Sequence, residues 1–150
     1  MTTIFVDADG CPVKDEVCRV ALRYKLPVRF VANRPQRYPN FAWVDSVVVG
    51  GNFDAADDWI VEHVAAGDIV VTADIPLAGR CIEKGAAALG PSGREFTENS
   101  IGNALASRAV AEHRRQMGIM TGGPPPMAGK DRSRFMARLD EIINALKRKG

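Results

Sequence analysis

The sequence predicts an α/β domain built on a mainly parallel sheet. Short apolar runs alternate with segments of helical period, the pattern of an α/β chain. The first strand, helix and strand are spaced for a right-handed βαβ unit, whose two strands are parallel. Two of the apolar runs also lead into acids: Ile4-Phe5-Val6 into Asp7 and Asp9, and Ile69-Val70-Val71-Thr72 into Asp74. Ligands of open α/β sheets bind beyond the carboxyl ends of the strands, so these acids are the first functional candidates.

Taken in order, the first strand ends at a turn marked by Gly10, and Pro12 opens a helix where its missing N–H costs nothing. Val13, Val17, Val20, Ala21 and Tyr24 form one apolar stripe, Pro27 ends the helix, and Val28 to Ala32 reads as the second strand. Residues 33–43 have no period and mix Arg34, Arg37, amides and aromatics. Such a loop suits phosphates and stacked bases. It equally suits a surface loop whose Phe41 and Trp43 tuck into the core. Ser46 to Val49 is a short strand stopped by Gly50-Gly51, and Asp54 is placed to cap a helix with Ala56, Ile60 and Val64 on its buried line.

Ile69 to Thr72 is the next strand, Leu77 to Lys84 a helix ended by Gly85, and Ala86 to Leu89 a weak fifth strand. Gly90 to Ser100 reads as a polar loop, and a helix is expected from about Ile101 to Met117. Gly122 to Lys130 is proline-rich, suited to a stiff connector. It fails as a phosphate loop, because Asp131 stands where Ser or Thr is needed and no strand precedes it. The last helix, from about Asp131, sets Phe135, Leu139, Ile142 and Leu146 on one face and is expected to pack back on a single domain spanning 1–150.

Composition narrows the function classes. The chain has 150 residues, 46% hydrophobic and 25% charged, with net charge +2, an ordinary globular balance. No apolar run approaches the ~20 residues of a membrane span, and no basic segment opens a signal peptide. A cytoplasmic protein without membrane attachment is therefore expected. Cys11, Cys18 and Cys81 are odd in number and lack zinc-site spacing. Cys18 and Cys81 read as small core residues. Cys11 sits at a helix start that favours a thiolate but beside carboxylates that oppose it, so no nucleophile is expected there. Positive charge gathers late, in Lys130, Arg132, Arg134, Arg138, Lys147, Arg148 and Lys149. This tail suits either a polyanion or a solvated helix face.

The acids admit two readings. Asp is common in turns and at helix N-termini, where it bonds backbone N–H groups. Yet Asp54, Asp57 and Asp58 exceed what capping needs, and Asp54 and Asp58 repel at i, i+4. Asp58 is the favoured ligand of this cluster and Asp57 the alternate. If Asp7, Asp9, Asp58 and Asp74 converge, their mutual repulsion is relieved by a hard cation with oxygen ligands, Mg2+ or Mn2+. The chemistry would then be metal-assisted phosphoester hydrolysis. His63 and His113 fall on helices away from this edge.

Four blocks in order carry a resemblance over nearly the whole chain: Val6-Asp7-Ala8-Asp9 with Cys11-Pro12-Val13-Lys14; Phe53-Asp54-Ala55-Ala56-Asp57-Asp58-Trp59-Ile60; Thr72-Ala73-Asp74-Ile75-Pro76-Leu77-Ala78; and Gly122-Gly123-Pro124-Pro125-Pro126 with Lys130-Asp131-Arg132-Ser133-Arg134-Phe135. They resemble the YaiI/YqxD family of bacterial proteins, which is similar to PIN-like nucleases. That resemblance implies a three-layer fold with a five-stranded sheet in the order 3-2-1-4-5. It also implies metal-binding acids at the C-terminal strand edge: Asp7, Asp74, and Asp58 or Asp57. The implied activity is a metal-dependent nuclease, with RNA favoured over DNA. Arg34, Arg37, Lys130, Arg132 and Arg134 are the candidate phosphate contacts. The chain departs from the PIN pattern in that Ile75, Pro76 and Leu77 follow Asp74 where a further acid is usual.

Two rivals stand beside this. One is an inactive PIN-like shell that binds RNA or a partner through its basic residues. The other resembles haloacid-dehalogenase phosphatases, with Asp7 as nucleophile, Asp9 as acid/base, and Thr72 and Lys84 as supporting motifs. That family also needs an acidic pair on a further strand, where only Glu95 and Glu98 are near.

Overall fold

The computed structural model describes residues 2–9, 11–51, 54–102 and 129–149. Strands β1 (Ile4–Asp7), β2 (Val28–Ala32), β3 (Val44–Val48), β4 (Ile69–Val71), β5 (Ala87–Leu89) and β6 (Glu95–Phe96) form one sheet in the order β3-β2-β1-β4-β5-β6. The first five pair with one another in parallel, and β6 runs antiparallel to β5. Helices α1 (Lys14–Tyr24), α2 (Ala55–His63) and α3 (Ile75–Glu83) connect them. Residues 98–102 are helical (α4), and α5 (Gly129–Lys149) closes the chain. The rest of the helix expected to Met117, His113 and the proline-rich connector lie outside the described residues.

Pleating assigns each strand residue to a layer. Ile4 and Val6 of β1 join Val28, Phe30, Ile69 and Val71 under α1 and α5, where Val17, Val20, Phe135 and Leu139 are fully buried. Phe5 faces the other way, with Val31, Val70, Ile60 and Leu77 under α2 and α3. The result is three layers, helices on both faces of a parallel sheet. Polar bonds hold the ends. Asp68, buried just before β4, accepts N–H bonds from Thr3 and Ala65, both 2.9 Å, and so aligns β4 with β1. On the α1–α5 side, Asp140 accepts from Tyr24, from Arg23 at 3.0 Å and from Asn144 at 2.9 Å.

The structure corrects the sequence reading in three places. The expected polar loop 90–100 contains β6, too short for alternation to reveal. β3 begins at Val44, two residues early, because an edge strand buries little of itself. Pro12 precedes Val13, the N-cap, so it shapes the approach to α1 and is not its first turn.

Candidate metal and phosphate site

Parallel strands bring their C-terminal ends to one rim. The register Val6↔Val71 sets Asp7 level with Thr72, and the β1–β2 register carried on past the strand ends sets Asp9 level with Asn33. Asp7, Thr72 and Asn33 have the parity of Phe5, Val70 and Val31, which face α2 and α3. These polar residues therefore emerge where α2 and α3 begin.

Thr72 is the pivot of the rim. Its hydroxyl donates to Asp7 Oδ2 at 2.9 Å and accepts the Asp74 N–H at 2.9 Å. Asp74 is the N-cap of α3, its Oδ1 accepting from the Leu77 N–H at 3.0 Å. One hydroxyl thus fixes Asp7 and the residue that starts α3. Asp9 is engaged elsewhere: Oδ2 accepts the Asn33 N–H at 2.8 Å and Oδ1 accepts from Gln36 Nε2 at 2.7 Å.

The carboxyls feel one another. Burial pushes Asp7 above the usual carboxylate range, the Thr72 hydrogen bond opposes this, and the charges of Asp74 and Asp9 add to it. Asp57 is pushed up to about 6, by burial first, then by Asp7, Asp74 and Asp54, with Arg80 pulling the other way. Asp57 lies one helical turn before Ile60 and two before Val64, on the face turned to the sheet. Asp58 instead forms an ion pair with Arg80 of α3 at 3.0 Å, both side chains about half exposed. Of the two adjacent acids, the structure gives Asp57 to the rim, a reversal of the preference for Asp58. The helix period itself held that signal.

Among the described residues, no three His, Cys, Asp or Glu side chains stand close enough to cage a metal ion. Mg2+ needs no such cage, since it is held by one or two carboxylates and keeps several waters or substrate oxygens. The donors here are carboxylate and hydroxyl oxygens, and a cation would relieve the raised proton affinity of Asp7 and Asp57. The residue set fits a water-rich Mg2+ or Mn2+ site and does not fit an all-protein cage.

The basic residues divide. Arg34 and Arg37 are exposed on the loop that leaves β2 at the rim. Arg132 reaches the Pro12 carbonyl at 2.6 Å and Glu16 at 3.1 Å, so it pins the start of α5 beside the β1–α1 turn. That employment ties the Arg132 guanidinium to the turn, and Lys130, two residues earlier on α5, is exposed. Arg134 is exposed and sits 3.8 Å from Asp131 on its own helix. Phe41 and Trp43 stack on each other at 4.6 Å, Phe41 exposed and Trp43 packed against the core under α1.

The phosphatase rival loses its lysine. Lys84 is the C-cap of α3, away from the rim, and its ammonium bonds the Val61 carbonyl. Glu95 lies in β6 near Arg138, 4.0 Å away, and Glu98 is exposed in α4. Cys18 and Cys81 are buried and pushed up to about 11, and burial also raises Cys11, so no thiolate nucleophile competes. Asn33, Gln36, Lys14 and Arg80 are the rim residues that sequence reasoning missed. Asn33 had a usable signal, as the first residue past a parallel strand.

Fold and rim define the class: a three-layer α/β protein with an acidic C-terminal strand edge. The family model described as "Uncharacterized BCR, YaiI/YqxD family" matches residues 5–145, and the chain belongs to that family. It is 55% identical over 152 residues to a UPF0178 protein of Rhodospirillum centenum, covering 99% of both chains. It is 55% identical over 148 residues to one of Brucella ovis (98% of this chain, 92% of the relative) and 50% identical over 149 to one of Rhodopseudomonas palustris (99% and 94%). No solved structure matches. Among the described residues, no helix is long and apolar enough to cross a membrane.

Proposed function

We propose that this protein is a Mg2+- or Mn2+-dependent phosphodiesterase of PIN-like nuclease type, acting on RNA. The observation that carries the proposal is the shared field of Asp7, Asp57 and Asp74 at the C-terminal rim of a parallel sheet. Asp7, held by Thr72, and Asp57 would hold the ion directly or through water, with Asp74 beside them. When bound, such an ion neutralises charge on a phosphoryl oxygen and acidifies water. Asp7 keeps its orientation through the Thr72 hydroxyl. Arg34, Arg37 and Lys130 would bind flanking phosphates, with Arg134 further along α5.

The test is Mn2+-dependent cleavage of single-stranded RNA by wild type, Asp7→Asn, Asp57→Asn and Asp58→Asn. The first two variants should lose about a hundredfold or more, and Asp58→Asn should stay near wild type. Full cleavage by a folded Asp7→Asn protein, or no Mn2+ binding to wild type by calorimetry, overturns the proposal. A binding module is the second reading, favoured by the lack of three acids within reach of one ion among the described residues. It requires RNA affinity that falls steeply with salt, without hydrolysis.

A further inference from the structure

The N-terminus of α2, which carries Asp57, is not capped by its own N-cap residue. Asp54 occupies that position and its side chain makes no capping bond. The bond comes from another element: Asn33 Oδ1, at the start of the β2–β3 loop, accepts the Ala56 N–H at 3.2 Å. Ala56 immediately precedes Asp57. The Asn33 backbone N–H is itself held by Asp9 at 2.8 Å. Gln36 doubles the tie, donating to Asp9 at 2.7 Å while accepting from Lys14 Nζ at 2.7 Å. A continuous chain of bonds therefore runs from the β1–α1 turn, through Asn33, to the first turn of α2.

We infer that Asn33 and Asp9 are positioning residues, which fix the first turn of α2 so that Asp57 meets the rim beside Asp7 and Asp74. The inference rests on the proposed reading of those acids as cation ligands. It removes Asp9 from the ligand set: both carboxylate oxygens are engaged in holding the loop. It also gives the loop with Arg34 and Arg37 a second task, since the backbone that presents these arginines is the one that sets Asp57. Removing the Asn33 oxygen leaves a part-buried N–H without its partner, a loss felt first at Ala56.

The experiment uses the full chain as wild type, Asn33→Ala and Asn33→Asp. Asparagine contributes no carboxylate, so loss of ion affinity in Asn33→Ala is not the loss of a charged ligand. Asn33→Asp keeps an acceptor oxygen in place. Two readouts are taken: amide hydrogen exchange at Ala56 and Asp57, with Ile4 to Val6 as internal control, and Mn2+ affinity by calorimetry. Asn33→Ala should speed exchange at Ala56 about tenfold, leave β1 protected, and weaken Mn2+ about tenfold. Asn33→Asp should restore the protection and bind Mn2+ at least as tightly as wild type. Unchanged exchange in Asn33→Ala, or no restoration in Asn33→Asp, overturns the inference. So does faster exchange with unchanged Mn2+ affinity, which reduces Asn33 to a cap. Failure of wild type to bind Mn2+ sinks the reading of the rim beneath it, and the exchange data then still report whether Asn33 holds α2.

Discussion

Asp57 shows how a single carboxyl makes this fold sensitive to pH. The unfolded chain ionises it near 3.8, the folded protein near 6. Between those values the native state holds a proton that the unfolded chain has released, so the contribution of this residue is full below 3.8 and is lost as pH rises through 6. Asp7 shifts in the same direction. Asp140, lowered by its bond from Tyr24, acts oppositely and loses its contribution as pH falls. Asp57 is partly exposed, so screening reduces its effect to about 1 kcal/mol. Melting curves of Asp57→Asn should lie ~3 °C above wild type at pH 7.5 and coincide with it at pH 4. Mn2+ should close the gap at pH 7.5 by stabilising wild type alone. A variant with the wild-type pH profile would contradict this assignment.

Elements meet at this rim because the parallel register leaves little choice. Asp7 and Asp74 were legible in sequence, since each follows an apolar run and a parallel sheet sends both to one edge. Asp57 against Asp58 was half legible: helical period favours the residue one turn before Ile60. The Asp58–Arg80 pair was not legible, because it joins α2 to α3 through tertiary packing. The tie of Arg132 to Pro12 and Glu16 was not legible for a similar reason, its partners lying far back in the chain. A tighter junction occurs where the β5–β6 turn meets α5. Gly93 has φ +93°, and a Cβ there would come within 2.9 Å of the Arg134 backbone. Gly93→Ala should cost about 1–3 kcal/mol, read as a lower urea midpoint with unchanged m-value. A cost below a few tenths would mean that α5 moves away freely.

At the scale of the molecule, α5 completes one face of the core. Phe135 and Leu139 are fully buried among residues of β1, β2 and α1. Phe135→Ala should cost about 3–5 kcal/mol and loosen α1 with α5, visible as lost amide protection in both. Protection lost in α5 alone would show that α1 stands without it.

The clasp of α5 on α1 ties residues 116 and 120 positions apart, Glu16 to Arg132 and Tyr24 to Asn144. During synthesis, the face that receives Phe135 and Leu139 is complete long before those residues emerge. A nascent chain therefore presents Ile4, Val17 and Phe30 to its surroundings until α5 has emerged and docked, a sticky intermediate suited to chaperone capture. A ribosome stalled before Phe135 and Leu139 emerge would hold a half-covered sheet, and the docking of α5 is what seals it.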